Sequence, residues 1–159
     1  MNKENDLGQT SQLLHLAERK VLYQNQVPLH QRPKINGSKD AEHILRSNWG
    51  ENMELLEEFN VLFLSRASHV KGMLRLSRGG LTGTVADPRI LFAAALKGLA
   101  TGIIVAHNHP SGCHTPSNQD IELTKKIKAV GQVHHIPLLD HIILAPHSSY
   151  YSFADEGTL

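Results

Sequence analysis

Ile103-Ile104-Val105-Ala106-His107-Asn108-His109-Pro110-Ser111-Gly112-Cys113-His114-Thr115-Pro116-Ser117-Asn118-Gln119-Asp120 is the stretch on which the fold turns. A short apolar run delivers two histidines at i and i+2. A Pro/Gly/Ser loop follows, and an acidic helix start closes the stretch. Side chains alternate along a strand, so His107 and His109 point the same way. Two imidazoles on one side of a strand end can share one metal ion. A carboxylate returning from the next helix makes a third ligand, and three protein ligands leave zinc the open position that hydrolysis needs.

The helix that follows is expected from Ser117 to Val130, with Leu123, Ile127 and Val130 on its buried face and Gly131 as its stop. At 100° per residue Asp120 falls on that same face, and an inward carboxylate is costly without a partner. The two upstream histidines supply one. Ser117-Asn118-Gln119-Asp120 also reads as an N-cap with an acid at N3, so Ser117 can both cap the helix and line the site.

Working outward, residues 138–145 and 150–153 read as a last hairpin around Pro146-His147-Ser148. Upstream, Asp87-Pro88 pairs an N-cap with a proline at the first helical position. The helix it opens, to about Leu99, is apolar almost all round and is expected in the interior against a sheet. Residues 57–65 read as a central strand too apolar to face water. A turn over 66–69 leads to a second strand, 70–77, and Arg78-Gly79-Gly80 breaks it before a short extended piece at 82–85. Ser38 is the expected N-cap of a helix with Asp40 and Glu42 in its first turn, an apolar stripe of Ala41, Ile44, Leu45 and Trp49, and Gly50 at its end. Nearer the start, residues 1–10 are expected to be disordered, Leu13 to Ala17 helical and Val21-Leu22-Tyr23 extended, before a polar connector through Pro28 and Pro33. The sum is a mixed α/β sheet covered by helices.

Composition narrows the partners. At 159 residues, 40% of them apolar, the chain fits one domain with a real core. Sixteen basic against fifteen acidic residues leave a net charge of +1, unlike the strongly basic footprint of a nucleic-acid binder. Cys113 is the single cysteine, which excludes an internal disulfide and suits a reducing, cytoplasmic compartment. The long apolar run over 90–106 is interrupted by Lys97, Gly98 and Gly102 and falls short of the ~20 residues of a membrane span. The first residues are polar, with no apolar signal region.

His107-Asn108-His109, then seven residues, Ser117, two residues and Asp120 resembles the JAMM signature of the MPN (JAB) metalloprotease superfamily. The finer spelling, Ala106-His107-Asn108-His109-Pro110-Ser111-Gly112 with Thr115-Pro116-Ser117, is similar to the RadC branch. Flanking segments agree: Glu57-Glu58-Phe59, Ser77-Arg78-Gly79, Asp87-Pro88-Arg89, Leu139-Asp140-His141 and Tyr151-Ser152-Phe153. The similarity covers roughly residues 18–159, leaving 1–17 as an N-terminal tail or short helix.

The resemblance implies a mixed α/β fold of the MPN/JAB (cytidine-deaminase-like) type. It implies Zn²⁺ held by His107, His109 and Asp120 with water as fourth ligand, and Glu58 as general base. Ser117 would donate to the oxyanion. The implied reaction is hydrolysis of a peptide or isopeptide bond in a protein or peptide substrate, without a covalent intermediate. Two other functions stay open: a DNA-repair accessory or metal-dependent nuclease, and a catalytically silent MPN scaffold. Near-neutral charge and an aromatic content of 5% weigh against the first, and the intact ligand positions against the second. Larger RadC-like proteins carry an added N-terminal helix–hairpin–helix-like region, and only their C-terminal half resembles this chain, which weakens a carried-over DNA role. Two local questions also stay open. Cys113 is either a plain loop residue or a thiol that reaches the zinc, and Asp140-His141 is either a strand-edge pair or a support for the ligands.

Overall fold

A computed structural model describes residues 27–50, 53–79, 86–146 and 150–159. After a short 3-10 turn, Leu29–Gln31, the elements are α1 (Ser38–Ser47), β1 (Glu58–Leu64), β2 (Val70–Arg78), α2 (Pro88–Lys97), β3 (Gly102–Asn108), α3 (Asn118–Val133), β4 (Leu138–Leu144) and β5 (Tyr150–Ser152). They form one five-stranded sheet in the order β2-β1-β3-β4-β5. β1 runs antiparallel to both its neighbours, β3 and β4 are parallel, and β5 closes an antiparallel edge. The expected mixed α/β sheet flanked by helices is the architecture found.

Alternation along the central strands explains the layers. Every residue of β1 and β3 is buried, because both faces of these strands are covered. Phe59, Val61 and Phe63 of β1 with Ile103 and Val105 of β3 pack beneath Leu91, Phe92 and Ala95 of α2 and Ile127 of α3. Leu62, Leu64, Ile104 and Ala106 face the other way, against Ala41 and Leu45 of α1 and the indole of Trp49. Each Val, Leu, Ile or Phe among them contributes about 1.5–3 kcal/mol by leaving water.

The parallel β3–β4 pair needs a crossover, and α3 supplies it. The C-terminal end of β3 and the N-terminal end of α3 therefore meet at one end of the sheet. β1, antiparallel to β3, starts at that same end, with Phe59 opposite His107.

Several local expectations are corrected. Gly131 does not stop α3, which continues to Val133 and is capped at His134. His135 takes the left-handed conformation (φ 55°) that ends it. Gly131 is there because the chain folds back on it: a Cβ would meet the Ile136 carbonyl oxygen at 2.5 Å. Ser38 is the first residue of α1 rather than its cap, a position held by Gly37; its hydroxyl goes to Asp155, and the Asn36 N–H donates to Asp40 Oδ2 at 2.9 Å. α2 is not interior. It lies outside the sheet and leaves Ile90 57% and Leu96 48% exposed. The expected helix and strand before residue 24, the tail at 1–17, the extended piece at 82–85 and most of the Pro146-His147-Ser148 turn lie outside the described residues. Among the described residues no helix is long and apolar enough to cross a membrane.

Gly131→Ala tests the close approach. Alanine in a helix interior is ordinarily preferred over glycine by ~1 kcal/mol. Here the clash with Ile136 should reverse the sign and cost about 1–3 kcal/mol in urea unfolding. A stabilised variant would contradict the packing.

Candidate metal centre

Three donors converge where the tips of β3 and α3 meet. His107 Nε2 and His109 Nε2 lie 3.0 Å apart. Asp120 Oδ1 is 3.1 Å from the first, and Oδ2 is 3.6 Å from the second. All three side chains offer ligand atoms within 4.8 Å of one another. A tetrahedral zinc with ligands at ~2.0–2.1 Å requires donor–donor edges of about 3.3 Å, which these separations bracket.

The chemistry of the donors fits a cation as well as their spacing does. His109 Nδ1 lies 2.7 Å from the Cys113 carbonyl oxygen, which can only accept, so Nδ1 carries the proton and Nε2 in the neutral ring is a bare lone pair. That lone pair faces a carboxylate and a second imidazole. Such a set is repulsive unless a proton or a metal ion sits within it. The electrostatics of the site carry the same pressure. Burial pushes the Asp120 carboxyl up, but its close contacts with His107 and His109 and the bonds from Ser117 hold it far below the usual carboxylate range. The bond to Asp120 raises the His109 pKa against its desolvation.

Local sequence explains how each donor is held. His107 is inside β3, and its ring stacks on Phe59 at 6.0 Å and 5°. His109 follows the strand end, its N–H donating to the Leu144 carbonyl at 2.9 Å. Asp120 is the third residue of α3, where the helix dipole favours an anion. Ser117 caps that helix. Its Oγ accepts from the Asp120 N–H at 3.2 Å and donates to Asp120 Oδ2 at 2.7 Å, and its own N–H donates to the same oxygen at 2.7 Å. Ser117 is thus bonded directly to a cluster member.

Glu58 is not part of the cluster. It begins β1 at the same end of the sheet, but alternation turns its side chain to the α1 side, opposite Phe59 and His107. Its fully buried carboxylate lies 3.1 Å from Arg75 Nε and 3.3 Å from Arg78 Nε, both on β2. Neither contact has hydrogen-bond alignment, so both oxygens retain acceptor capacity. Cys113 is exposed and serves the site through its carbonyl; its thiol is outside the cluster.

Three further residues belong to the centre. Asn108, fully buried between the histidines, accepts from the Glu58 N–H at 2.8 Å and donates to the Met53 and Leu56 carbonyls at 2.7 and 2.9 Å. It ties the start of β1 to the end of β3. His141 Nε2 lies 2.9 Å from His107 Nδ1, and Thr124 Oγ1 lies 2.6 Å from His141 Nδ1. Burial lowers the His141 pKa. The signal for Asn108 is its place between two ligands that share one face of the chain, which turns it to the other face. For Thr124 it is the i+4 spacing from Asp120, which puts both on one helix face.

Chelated protein should show the pairing in its pH dependence. The Asp120 pKa is lower in the folded chain, so its stabilisation is present above ~3.9 and lost on acidification. The His109 pKa is raised above 6.5, so its stabilisation is full below that value and lost as pH rises through the folded pKa. Above about pH 7, where the buried His141 is neutral in both states, urea midpoints of chelated protein should decline as pH rises, and Asp120→Asn should flatten that decline. An alkaline limb equally steep in both would contradict the pairing.

Comparison with known proteins matches the description "RadC-like JAB domain" over residues 35–158. A UPF0758 protein of Flavobacterium johnsoniae is 46% identical over 124 residues, covering 78% of this chain and 53% of its own. A UPF0758 protein of Clostridium beijerinckii is 34% identical over 153 residues, covering 96% and 65%. The chain thus spans about half to two-thirds of the length of these curated relatives. With its five-stranded mixed sheet and flanking helices, the chain belongs to the RadC-like JAB domain family.

Proposed function

We propose that the chain is a zinc-dependent metallopeptidase or isopeptidase that hydrolyses an amide bond with water and forms no covalent enzyme intermediate. The observation that carries this reading is the convergence of His107 Nε2, His109 Nε2 and the Asp120 carboxylate, two neutral donors and one anion, at one end of the sheet. These residues would hold the ion. When bound, zinc acts as a Lewis acid that brings the pKa of water to roughly 7 and polarises a carbonyl oxygen.

The chain's own groups divide the remaining work. Glu58 is the proposed general base, taking the proton of the attacking water on a carboxylate oxygen and passing it to the leaving amine; the role requires its side chain to leave Arg75 and Arg78 and turn round the tip of β1. Its unfilled acceptor capacity and its place at the site's end of the sheet support that role. Ser117 Oγ donates to Asp120 Oδ2 in the resting site. With a cation held by Asp120, the hydroxyl would be free to donate to the developing oxyanion. Asn108 keeps the base-bearing strand in register with the ligand-bearing one. A cytoplasmic setting, suited to the lone cysteine, completes the proposal.

The test is hydrolysis of peptide and isopeptide substrates by the purified chain, with chelator and after zinc is restored. Activity should vanish on chelation and return with zinc. Glu58→Gln should keep stoichiometric zinc and lose about 10²- to 10⁴-fold in kcat. Full activity in that variant would remove Glu58 from the mechanism, and chelator-insensitive hydrolysis would remove the metal.

A further inference from the structure

Hydrogen-bond direction around Thr124 determines which nitrogen of His107 carries a proton. A hydroxyl has one proton to donate. Thr124 Oγ1 is 2.6 Å from the Asp120 backbone carbonyl oxygen and 2.6 Å from His141 Nδ1. The carbonyl cannot donate, so the hydroxyl proton lies on that contact. The opposite arrangement would press two oxygen lone pairs together at 2.6 Å. Towards the ring, Oγ1 is therefore an acceptor, and His141 Nδ1 carries hydrogen.

His141 is fully buried, stacked on Phe153 at 4.9 Å and 9° and tilted against Phe59 at 5.7 Å. With its proton on Nδ1, the neutral ring presents Nε2 as an acceptor. His107 Nδ1, 2.9 Å away, is then the donor. One proton remains for one neutral ring, so His107 Nε2 is left as a lone pair, 3.1 Å from Asp120 Oδ1.

We propose that Thr124 and His141 are positioning residues: their hydrogen-bond chain holds His107 in the Nδ1–H tautomer and so directs its Nε2 lone pair to the cation. This deepens the metal-centre reading and rests on it. The chain starts at the backbone of one ligand, Asp120, and ends at the ring of another, so the helix tip and the strand tip are set together. Neutral His ligands are commonly fixed in this way by a partner on the second ring nitrogen.

Two measurements on the full chain test the proposal. Two-bond ¹H–¹⁵N imidazole spectra, taken with chelator at mildly alkaline pH where imidazoles are neutral, report each tautomer directly. His107 and His141 should both appear as Nδ1–H, and the near-isosteric Thr124→Val should abolish the His141 preference. Zinc affinity, by competition with a chelating indicator, should fall about 10- to 100-fold in Thr124→Val and recover to within a few-fold in Thr124→Ser. The melting temperature of the chelated variants serves as the folding control. A wild-type spectrum with the His107 proton on Nε2 would overturn the proposal, as would wild-type zinc affinity in Thr124→Val. A wild type that binds no zinc would defeat the metal reading itself, while the spectra still decide the tautomer.

Discussion

Three electron-pair donors held face to face at one end of a sheet are the constraint on which this structure depends. His107 Nε2, His109 Nε2 and the Asp120 carboxylate have no reason to approach one another except through a cation or a shared proton. In water they would separate. Here β3, buried along its whole length, fixes the His107 ring, and bonds to the Leu144 and Cys113 carbonyls hold His109 just past its end. A capping box fixes the acid on the first turn of α3. The repulsion is carried by the scaffold rather than relieved locally, and that is how a site comes to be built ahead of its ligand.

Topology makes the convergence possible. A parallel pair of strands requires a connection that returns to the starting edge, and α3 makes it between β3 and β4. The helix begins where the strand ends, so its positive dipole end sits over the histidines and favours the ionised Asp120. β4 then passes beside β3 and contributes His141 directly behind His107, in the register that pairs Val105 with His141. The antiparallel β1 brings Glu58 to the same edge from the other side. One crossover and one antiparallel neighbour account for every group assembled there.

What was legible in the sequence follows from the range of the interactions involved. The i, i+2 histidines needed only strand alternation, and the inward phase of Asp120 needed only helical periodicity. Both are local rules, and all three residues lie in the cluster. The mixed sheet followed from element order. The resemblance was needed to single out Glu58, and its pairing with Arg75 and Arg78 depends on a bulged register between β1 and β2 that no local pattern shows. Gly131 misled because a glycine near a helix end is usually a stop; a backbone oxygen five residues on, Ile136 O, keeps it small. The partnership of Thr124 and His141 joins two elements through the core, so only the folded chain makes it visible.

The central claim is that one divalent ion is shared by the two imidazoles and the aspartate. Anomalous difference maps from crystals of the chain grown with zinc, recorded on both sides of the zinc absorption edge, test it most directly. The account predicts a single strong peak at the tips of β3 and α3, within bonding distance of His107 Nε2, His109 Nε2 and an Asp120 oxygen. No peak there, or one held by other residues while these three remain apart, would contradict it.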